Sequence, residues 1–266
     1  MTRMLAFLRR DLSLQLSYRL AFILQFLGLF FNLFIFYFLS LLIGPAAQPY
    51  LEPYGGDYFA FVLIGLAFSG YFGVGLRSFA DNLREAQTTG TLEAMLLTPT
   101  RLSTIILSSA LYDYGYVTLQ VLIYLTLGGL LFGVQFDGNA PAALLVLALT
   151  IVVMSSLGIV AASFIMVLKR GDPVTWLFNA ASVLLGGVYY PVAVMPDWLQ
   201  ALSRLLPITY ALNAMRLALL SGASFAELWP DIAALVLFSV ILTPFSLLAF
   251  RWAVNRAKAD GSLAHF

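Results

Sequence analysis

The sequence has no cysteine and a single histidine, His265, which is the residue before the last. The lack of cysteine excludes disulfides and cysteine-based metal sites, and the place of the histidine argues against a histidine-dependent triad or metal cluster. Charged residues make up only 10% of the chain, whereas a soluble domain has about 25%. The net charge of +1 provides no basic field, so nucleic acid is not an expected partner.

Phosphate-binding chemistry is also missing from the sequence. Neither Lys169 nor Lys258 follows a glycine, so the G-K-[ST] core of a phosphate-binding loop is absent. The chain is therefore not expected to hydrolyse ATP, to be an enzyme, or to hold a cofactor or metal of its own.

Asp113 is the one ionisable residue that qualifies as a group within a long apolar run, and such groups often mark proton or substrate paths. Its neighbours Tyr112 and Tyr116 are one helical turn apart and share a face. The favoured interpretation places these residues at the cytoplasmic interface, with Arg77 or Arg101 as the partner of Asp113. The alternative is that they line a cargo path or an interface.

Long runs without charge dominate the chain, of which 61% is hydrophobic. A membrane span needs roughly 20 apolar residues. The runs predict six spans, centred on residues 20–43, 58–77, 108–134, 142–168, 174–190 and 232–250. Since no internal repeat divides them, we expect residues 1–266 to form a single all-α membrane domain.

Basic residues orient these predicted spans. Twelve of the 14 lysines and arginines fall on one side, so the positive-inside tendency predicts a cytoplasmic-membrane protein with both termini cytoplasmic. Arg204 and Arg216 are the exceptions, and both lie in residues 198–220, a candidate seventh span. Each arginine would cost about 2.5–3.5 kcal/mol at mid-membrane. This segment is therefore predicted to form two short amphipathic helices, broken at Pro207, that dip into the outer leaflet.

Two further segments predict amphipathic helices on the cytoplasmic side. Residues 4–16 carry leucines on one face and arginines elsewhere, which favours a helix lying on membrane lipid. The polar stretch REAQTTGTLEAMLLTP, residues 84–99, is broken at Gly90, after which Glu93 enters a first helical turn. An apolar stripe at helical spacing follows from Leu92, Met95 and Leu96. This second helix either rests on headgroups or docks on a partner.

The polar stretch resembles the G-T-L-E-x-x-L-x-T-P signature between spans two and three of the ABC-2 type transporter permeases. A second segment, PVAVMPDWLQALSRLLPITYALNAMR at residues 191–216, resembles the P-x-x-x-x-P-x-W-L…P-x-T-Y…R segment before the last span of that family. Both matches fall in the expected links of a six-span chain. By this resemblance the chain is identified as the membrane subunit of an ABC exporter, with the all-α fold of type V exporters.

The resemblance implies specific parts and partners. Residues 83–98 would be the coupling helix that docks on a separate cytoplasmic ABC ATPase, which binds ATP and magnesium. Residues 1–19 would be an elbow helix and residues 191–222 external re-entrant helices. Two permease copies would pair, as a homodimer. The implied coupling residues are Glu85, Gly90, Thr91, Leu92, Glu93, Met95 and Leu96.

The end of the fifth predicted span carries a bulky run, Val188, Tyr189, Tyr190 and Pro191. We expect Pro191 to end the helix there. In a two-fold dimer these residues would form an external gate around the axis. The alternative is that the tyrosines anchor the span at the outer headgroups.

Rival functions remain on the sequence alone. The main alternative is a six-span secondary carrier or channel without an ATPase, and a membrane scaffold is a third class. The scarcity of charge in the spans and the two family segments favour the exporter. The same scarcity favours an amphipathic, lipid-like, drug or glycan cargo, and we expect most neutral polar residues of the spans to bond between helices.

Overall fold

The structure is a computed structural model that describes residues 19–88, 102–168 and 173–259. Within these ranges every regular element is a helix, which confirms the all-α fold class. Short 3-10 helices cover Glu52–Tyr54 and Val192–Val194. The α-helices are α1 (Arg19–Leu51), α2 (Tyr58–Thr88), α3 (Leu102–Phe132), α4 (Ala140–Leu168), α5 (Pro173–Leu185), α6 (Asp197–Ser203), α7 (Pro207–Leu220) and α8 (Trp229–Ala259).

Five described helices, α1, α2, α3, α4 and α8, are long and apolar enough to cross a membrane, which indicates a multi-pass membrane protein. The remaining predicted span corresponds to α5, which has only 13 residues. The expectation that Pro191 ends this helix is wrong, because α5 ends at Leu185. Two glycines, Gly186 and Gly187, follow Leu185, and glycine is a poor helix former. Gly187 has a positive φ of 72°, which glycine adopts without strain.

Connections between the helices collect at one end of the bundle, which we call the capped end because it carries α6 and α7. It comprises residues 52–57, 133–139 and 186–228. Hydrogen bonds join these connections: Ser221 Oγ donates to the carbonyl of Pro53 at 2.8 Å, and Asn139 N to the carbonyl of Ala218 at 2.8 Å. The three connections therefore form one surface.

The centre of the bundle is the contact of α4 with α2 on one side and α8 on the other. Glycines allow α2 and α4 to approach closely. A Cβ at Gly158 would lie 2.0 Å from the carbonyl oxygen of Gly75, and a Cβ at Gly75 would lie 2.4 Å from the Cβ of Met154. Such small-residue contacts are a common way to pack helices in lipid. We therefore regard α2 and α4 as a fixed pair.

Tryptophans mark the two limits of the apolar zone. All four are exposed, and they lie near helix ends: Trp176, Trp198, Trp229 and Trp252. Trp229 and Trp252 are 23 positions apart in α8, about 34 Å along the helix, which is close to the roughly 30 Å of a bilayer core. Because tryptophan prefers the membrane interface, α8 has the pattern expected of one crossing.

We predict that Gly158→Ala lowers the stability of the bundle. The new Cβ would press on the backbone of Gly75, and overpacking of this kind costs about 1–3 kcal/mol. The matched control is Gly73→Ala, since a Cβ there meets nothing within 4 Å. The measurement is the midpoint of thermal unfolding in detergent. Equal midpoints for the two variants would show that the α2–α4 contact is looser than described.

Candidate functional site at the capped end

Arg216 of α7 is a buried cation, with 3% of its surface exposed. Its Nε donates to the carbonyl oxygen of Phe61 at 3.0 Å. Its two terminal nitrogens donate to the carbonyls of Gly187 at 2.8 Å and Val188 at 2.9 Å. The guanidinium carbon also lies 3.4 Å from the centre of the Phe61 ring. Arg216 therefore joins α7 to the start of α2 and to the segment that follows α5.

These contacts explain how a charge is held in an apolar environment. Burial lowers the pKa of Arg216 to about 9, which still leaves the guanidinium protonated at neutral pH. Each hydrogen bond to a charged group contributes about 1.5–3 kcal/mol, and a desolvated cation–π contact about 2 kcal/mol. Without the arginine, the carbonyls of Gly187 and Val188 would each lose this donor, at about 1–3 kcal/mol.

Glycines shape the backbone around the guanidinium. A Cβ at Gly65 would lie 2.2 Å from the carbonyl oxygen of Val188 and 2.7 Å from a terminal nitrogen of Arg216. Gly187 turns its carbonyl toward the guanidinium in the left-handed backbone region that glycine favours. Because Gly65 has no side chain, the guanidinium of Arg216 and the carbonyl of Val188 can meet on the surface of α2.

The predicted gate residues begin within this contact: Val188, Tyr189, Tyr190 and Pro191. Val188 is buried in the chain. The hydroxyl of Tyr58 in α2 donates to the carbonyl of Tyr189 at 3.1 Å. The Tyr189 ring stacks on Phe36 of α1, with centres 5.3 Å apart and planes 8° apart. The segment therefore contacts α1, α2 and α7 of its own chain, and its role as a gate stays a prediction.

A second polar chain runs beside Arg216 on the same face of α7. The hydroxyl of Tyr54 donates to Asn213 Oδ1 at 2.6 Å, and Asn213 Nδ2 donates to Asp231 Oδ2 at 2.7 Å. Tyr54 ends the 3-10 helix in the first connection of the capped end, and Asp231 is in the first turn of α8. Because Asn213 and Arg216 are three positions apart, one helix face holds four elements together.

The other predicted path residues lie on α3, towards the end opposite the capped end. Asp113 accepts a hydrogen bond from Ser78 of α2. The rings of Tyr112 and Tyr116 stack, with centres 6.5 Å and planes 18° apart, so their shared face is confirmed. The structure therefore groups these three residues, but it places them far from the gate residues: Ser78 and Phe61 are 17 positions apart on α2, about 25 Å.

Some neutral polar groups of the spans bond between helices, as expected, whereas others donate to a carbonyl of their own helix, such as Ser69 to Leu66 and Thr150 to Val146. The hydroxyls of Tyr114 and Ser155 are 2.6 Å apart, and those of Tyr71 and Thr118 are 2.8 Å apart. Ser156 of α4 lies 3.1 Å from the hydroxyl of Thr243 in α8. These bonds tie α2, α3, α4 and α8 together, so the groups are engaged inside the bundle.

The predicted coupling residues fall mostly beyond the described ranges. Helix α2 continues to Thr88, and Glu85 belongs to its last turn. The elbow helix over residues 1–19 also lies outside the described residues, except that Arg19 begins α1. The coupling residues outside the description are Gly90, Thr91, Leu92, Glu93, Met95 and Leu96. Among the described residues, no cluster of acidic or histidine side chains is placed to hold a metal.

Sequence reasoning treated Arg216 only as a penalty against a seventh span. Its role was not predicted because its acceptors are backbone carbonyls, which leave no trace in residue identity. One signal was present: Arg216 is the arginine of the P-x-T-Y…R segment. A polar residue required at a fixed place in an apolar segment indicates a specific partner.

Comparison of the sequence with known proteins identifies a family for the chain. A family model described as an ABC-2 family transporter protein matches residues 49–248, which is more than half of the chain. The match runs from the end of α1 into α8 and so includes every helix of the capped end. It contains both segments that resemble the permease signatures.

Curated relatives are similar over shorter stretches. The linearmycin resistance permease protein LnrN of Bacillus subtilis is 24% identical over 121 residues, which is 46% of this chain and 31% of the relative. The inner membrane transport permease YhhJ of Escherichia coli is 27% identical over 173 residues, or 62% and 45%. ABC transporter G family member 20 of Dictyostelium discoideum is 24% identical over 176 residues, or 65% and 23%. The matches thus span less than half the length of these relatives. On the family match, the chain belongs to the ABC-2 family of transporter proteins.

Proposed function

We propose that the chain is the permease subunit of an ATP-driven ABC exporter in the cytoplasmic membrane. The observation that carries this function is the match of residues 49–248 to a family of transporter proteins. Because the sequence has no G-K-[ST] loop, we assign ATP and magnesium to a separate ATPase subunit. The permease then provides the path and the ATPase the energy, so this chain is not itself an enzyme.

We propose that residues 1–266 form one domain with six spans. Helix α5 rises about 20 Å, and residues 186–190, which belong to the capped end, lengthen this span beyond the helix. The distribution of basic residues supports cytoplasmic termini, which puts the capped end outside. Residues 191–222, with α6 and α7, are then external re-entrant helices, and residues 1–19 an elbow helix on membrane lipid.

Residues 83–98 are proposed to be the coupling helix that docks on the ATPase. Helix α2 supports this role because it runs without interruption from the capped end to Thr88. A displacement of its end at Thr88 would reach both the α4 contact and Arg216. ATP-driven closure of the ATPase would thus move a rigid element between two packings.

A second copy of the chain is the proposed partner within the membrane. Large apolar side chains on α1 and α5 are exposed, including Phe31, Ile35, Trp176 and Leu184. Those faces are free for lipid or for a homodimer contact. In such a dimer residues 188–191 would lie near the two-fold axis as an external gate.

The proposed cargo is amphipathic: a drug, a lipid-like molecule or a lipid-linked glycan. The described spans hold few charges, and their neutral polar groups bond either between helices or within their own helix. A highly charged soluble cargo would lack partners in such a path. The name of one relative, a linearmycin resistance permease, is in line with this cargo class.

The topology is tested by single cysteines, since the chain has none of its own. A membrane-impermeant thiol reagent applied to intact cells should label Gln48→Cys, exposed in the last turn of α1 beside the capped end, and Asp137→Cys, exposed within it. It should not label Asn255→Cys, which is exposed near the other end of α8. Labelling of position 255 from outside would overturn the proposed orientation.

We predict that Glu93→Lys weakens binding of the ATPase without preventing membrane insertion. Reversal of this charge removes up to about 1 kcal/mol of favourable interaction with the helix dipole and adds repulsion. Pull-down of the ATPase and coupled ATP turnover are the measurements. The control is Glu52→Lys, the same change at an exposed position of the capped end.

Equal recovery of the ATPase with both lysine variants would show that residues 83–98 are only a surface helix. Cargo movement in vesicles that contain no ATP or ATPase would favour the secondary carrier instead. The exporter requires movement that depends on both.

A further inference from the structure

Three consecutive carbonyls after α5 are each held by a side chain from another helix. Arg216 of α7 binds those of Gly187 and Val188, and Tyr58 of α2 binds that of Tyr189. Extended backbone in a membrane protein is stable only where such groups find partners. The segment is therefore fixed by its carbonyls, whatever its side chains do.

Helix α5 itself is weakly attached to the bundle. Several of its large side chains face away from the bundle, and Trp176, Leu177 and Leu184 are exposed. Its carbonyl end is tied to the region of α6 by Ser203 Oγ, which donates to the carbonyl of Leu185 at 2.8 Å. Directly beyond that bond, Arg216 binds Gly187 and Val188. The position of the segment therefore depends on α7 more than on α5.

We propose that Arg216 is a positioning residue that keeps the capped end closed. Its guanidinium holds Gly187 and Val188 against the start of α2. For this segment to move away from α2, the bond of Tyr58 to Tyr189 must break, and Arg216 must release either the segment or Phe61. That this closed segment would block a transport path rests on the proposed exporter function. The closed position of the segment is a property of the fold.

The chemistry of the contact favours positioning over simple packing. Replacing buried charges by apolar residues of similar volume is often neutral or stabilising, so bulk alone does not require a cation here. A guanidinium differs from an apolar side chain in direction: its planar donors fit several carbonyls at once. Gly65, which leaves space for both Arg216 and Val188, gives the same contact a second determinant on α2.

The test uses Val188→Cys as a reporter in the cysteine-free chain. Val188 is 3% exposed, so a soluble thiol reagent should label it slowly in membrane fragments open on both faces. Adding Arg216→Met should raise the labelling rate at least about tenfold, because the segment loses two of its donors. Arg216→Lys should fall between, since one ammonium cannot bind the three carbonyls in the same geometry.

Two controls separate opening from damage. Arg204→Met removes an exposed arginine of the same end and should leave the labelling rate unchanged. Ala161→Cys reports on the buried middle of the bundle, where the native side chain is 0% exposed. If Arg216→Met accelerates labelling at 161 as much as at 188, the whole bundle has loosened and the positioning role is wrong.

A second variant decides the matter if Arg216→Met does not fold. Gly65→Ala pushes on Val188 and Arg216 while keeping the arginine, and Gly73→Ala on the same helix is its control. Faster labelling at 188 with Gly65→Ala alone supports the positioning role. Unchanged labelling with a folded Arg216→Met overturns it; if that variant does not fold, unchanged labelling with Gly65→Ala does so.

The labelling needs neither ATP, ATPase nor cargo, so its result does not depend on the exporter function. If Arg216→Met opens the segment but no ATP-dependent transport is ever found, the proposed function fails and the positioning role stands. If ATP-dependent transport is found but Arg216→Met does not change labelling at position 188, the positioning role fails and the proposed function stands.

Discussion

A guanidinium buried among apolar side chains destabilises the protein unless hydrogen-bond acceptors lie within its reach. Arg216 meets this constraint with three backbone carbonyls and the face of Phe61. Each acceptor imposes a condition in turn: α2 must start beside α7, α5 must end early, and Gly65 must have no side chain. Much of the capped end is therefore a consequence of housing one charge.

The same constraint makes α7 the organiser of its end of the bundle. Through Asn213 it reaches the connection after α1 and the start of α8, and through Ala218 the connection after α3. Helix α2 takes part in both described sites, since it contributes Phe61 at one end and Ser78 at the other. A rigid α2, packed on α4 through Gly75 and Gly158, links them mechanically.

The helices could be predicted because an apolar run of membrane length has few other stable forms in lipid. The end of α5 was predicted at the wrong local signal, Pro191, whereas the helix ends at Leu185, before Gly186 and Gly187. The capture of the Gly187 and Val188 carbonyls could not be predicted, because the donor is Arg216, 29 and 28 positions away. Arg216 and Phe61 are separated by 155 positions, and nothing in Phe61 marks its carbonyl as an acceptor. The shared face of Tyr112 and Tyr116, in contrast, followed from helical spacing alone.

The order of synthesis gives the arginine site an asymmetry. All three carbonyls that Arg216 binds belong to residues that are synthesised before it, so its acceptors are already present when α7 is made. Asp231, the acceptor of Asn213, is made only afterwards. Arg216 can thus hold α7 against the start of α2 early, whereas the bond from Asn213 waits for α8. A chain cut short before α8 would have the arginine in place but would leave Asn213 without its carboxylate partner.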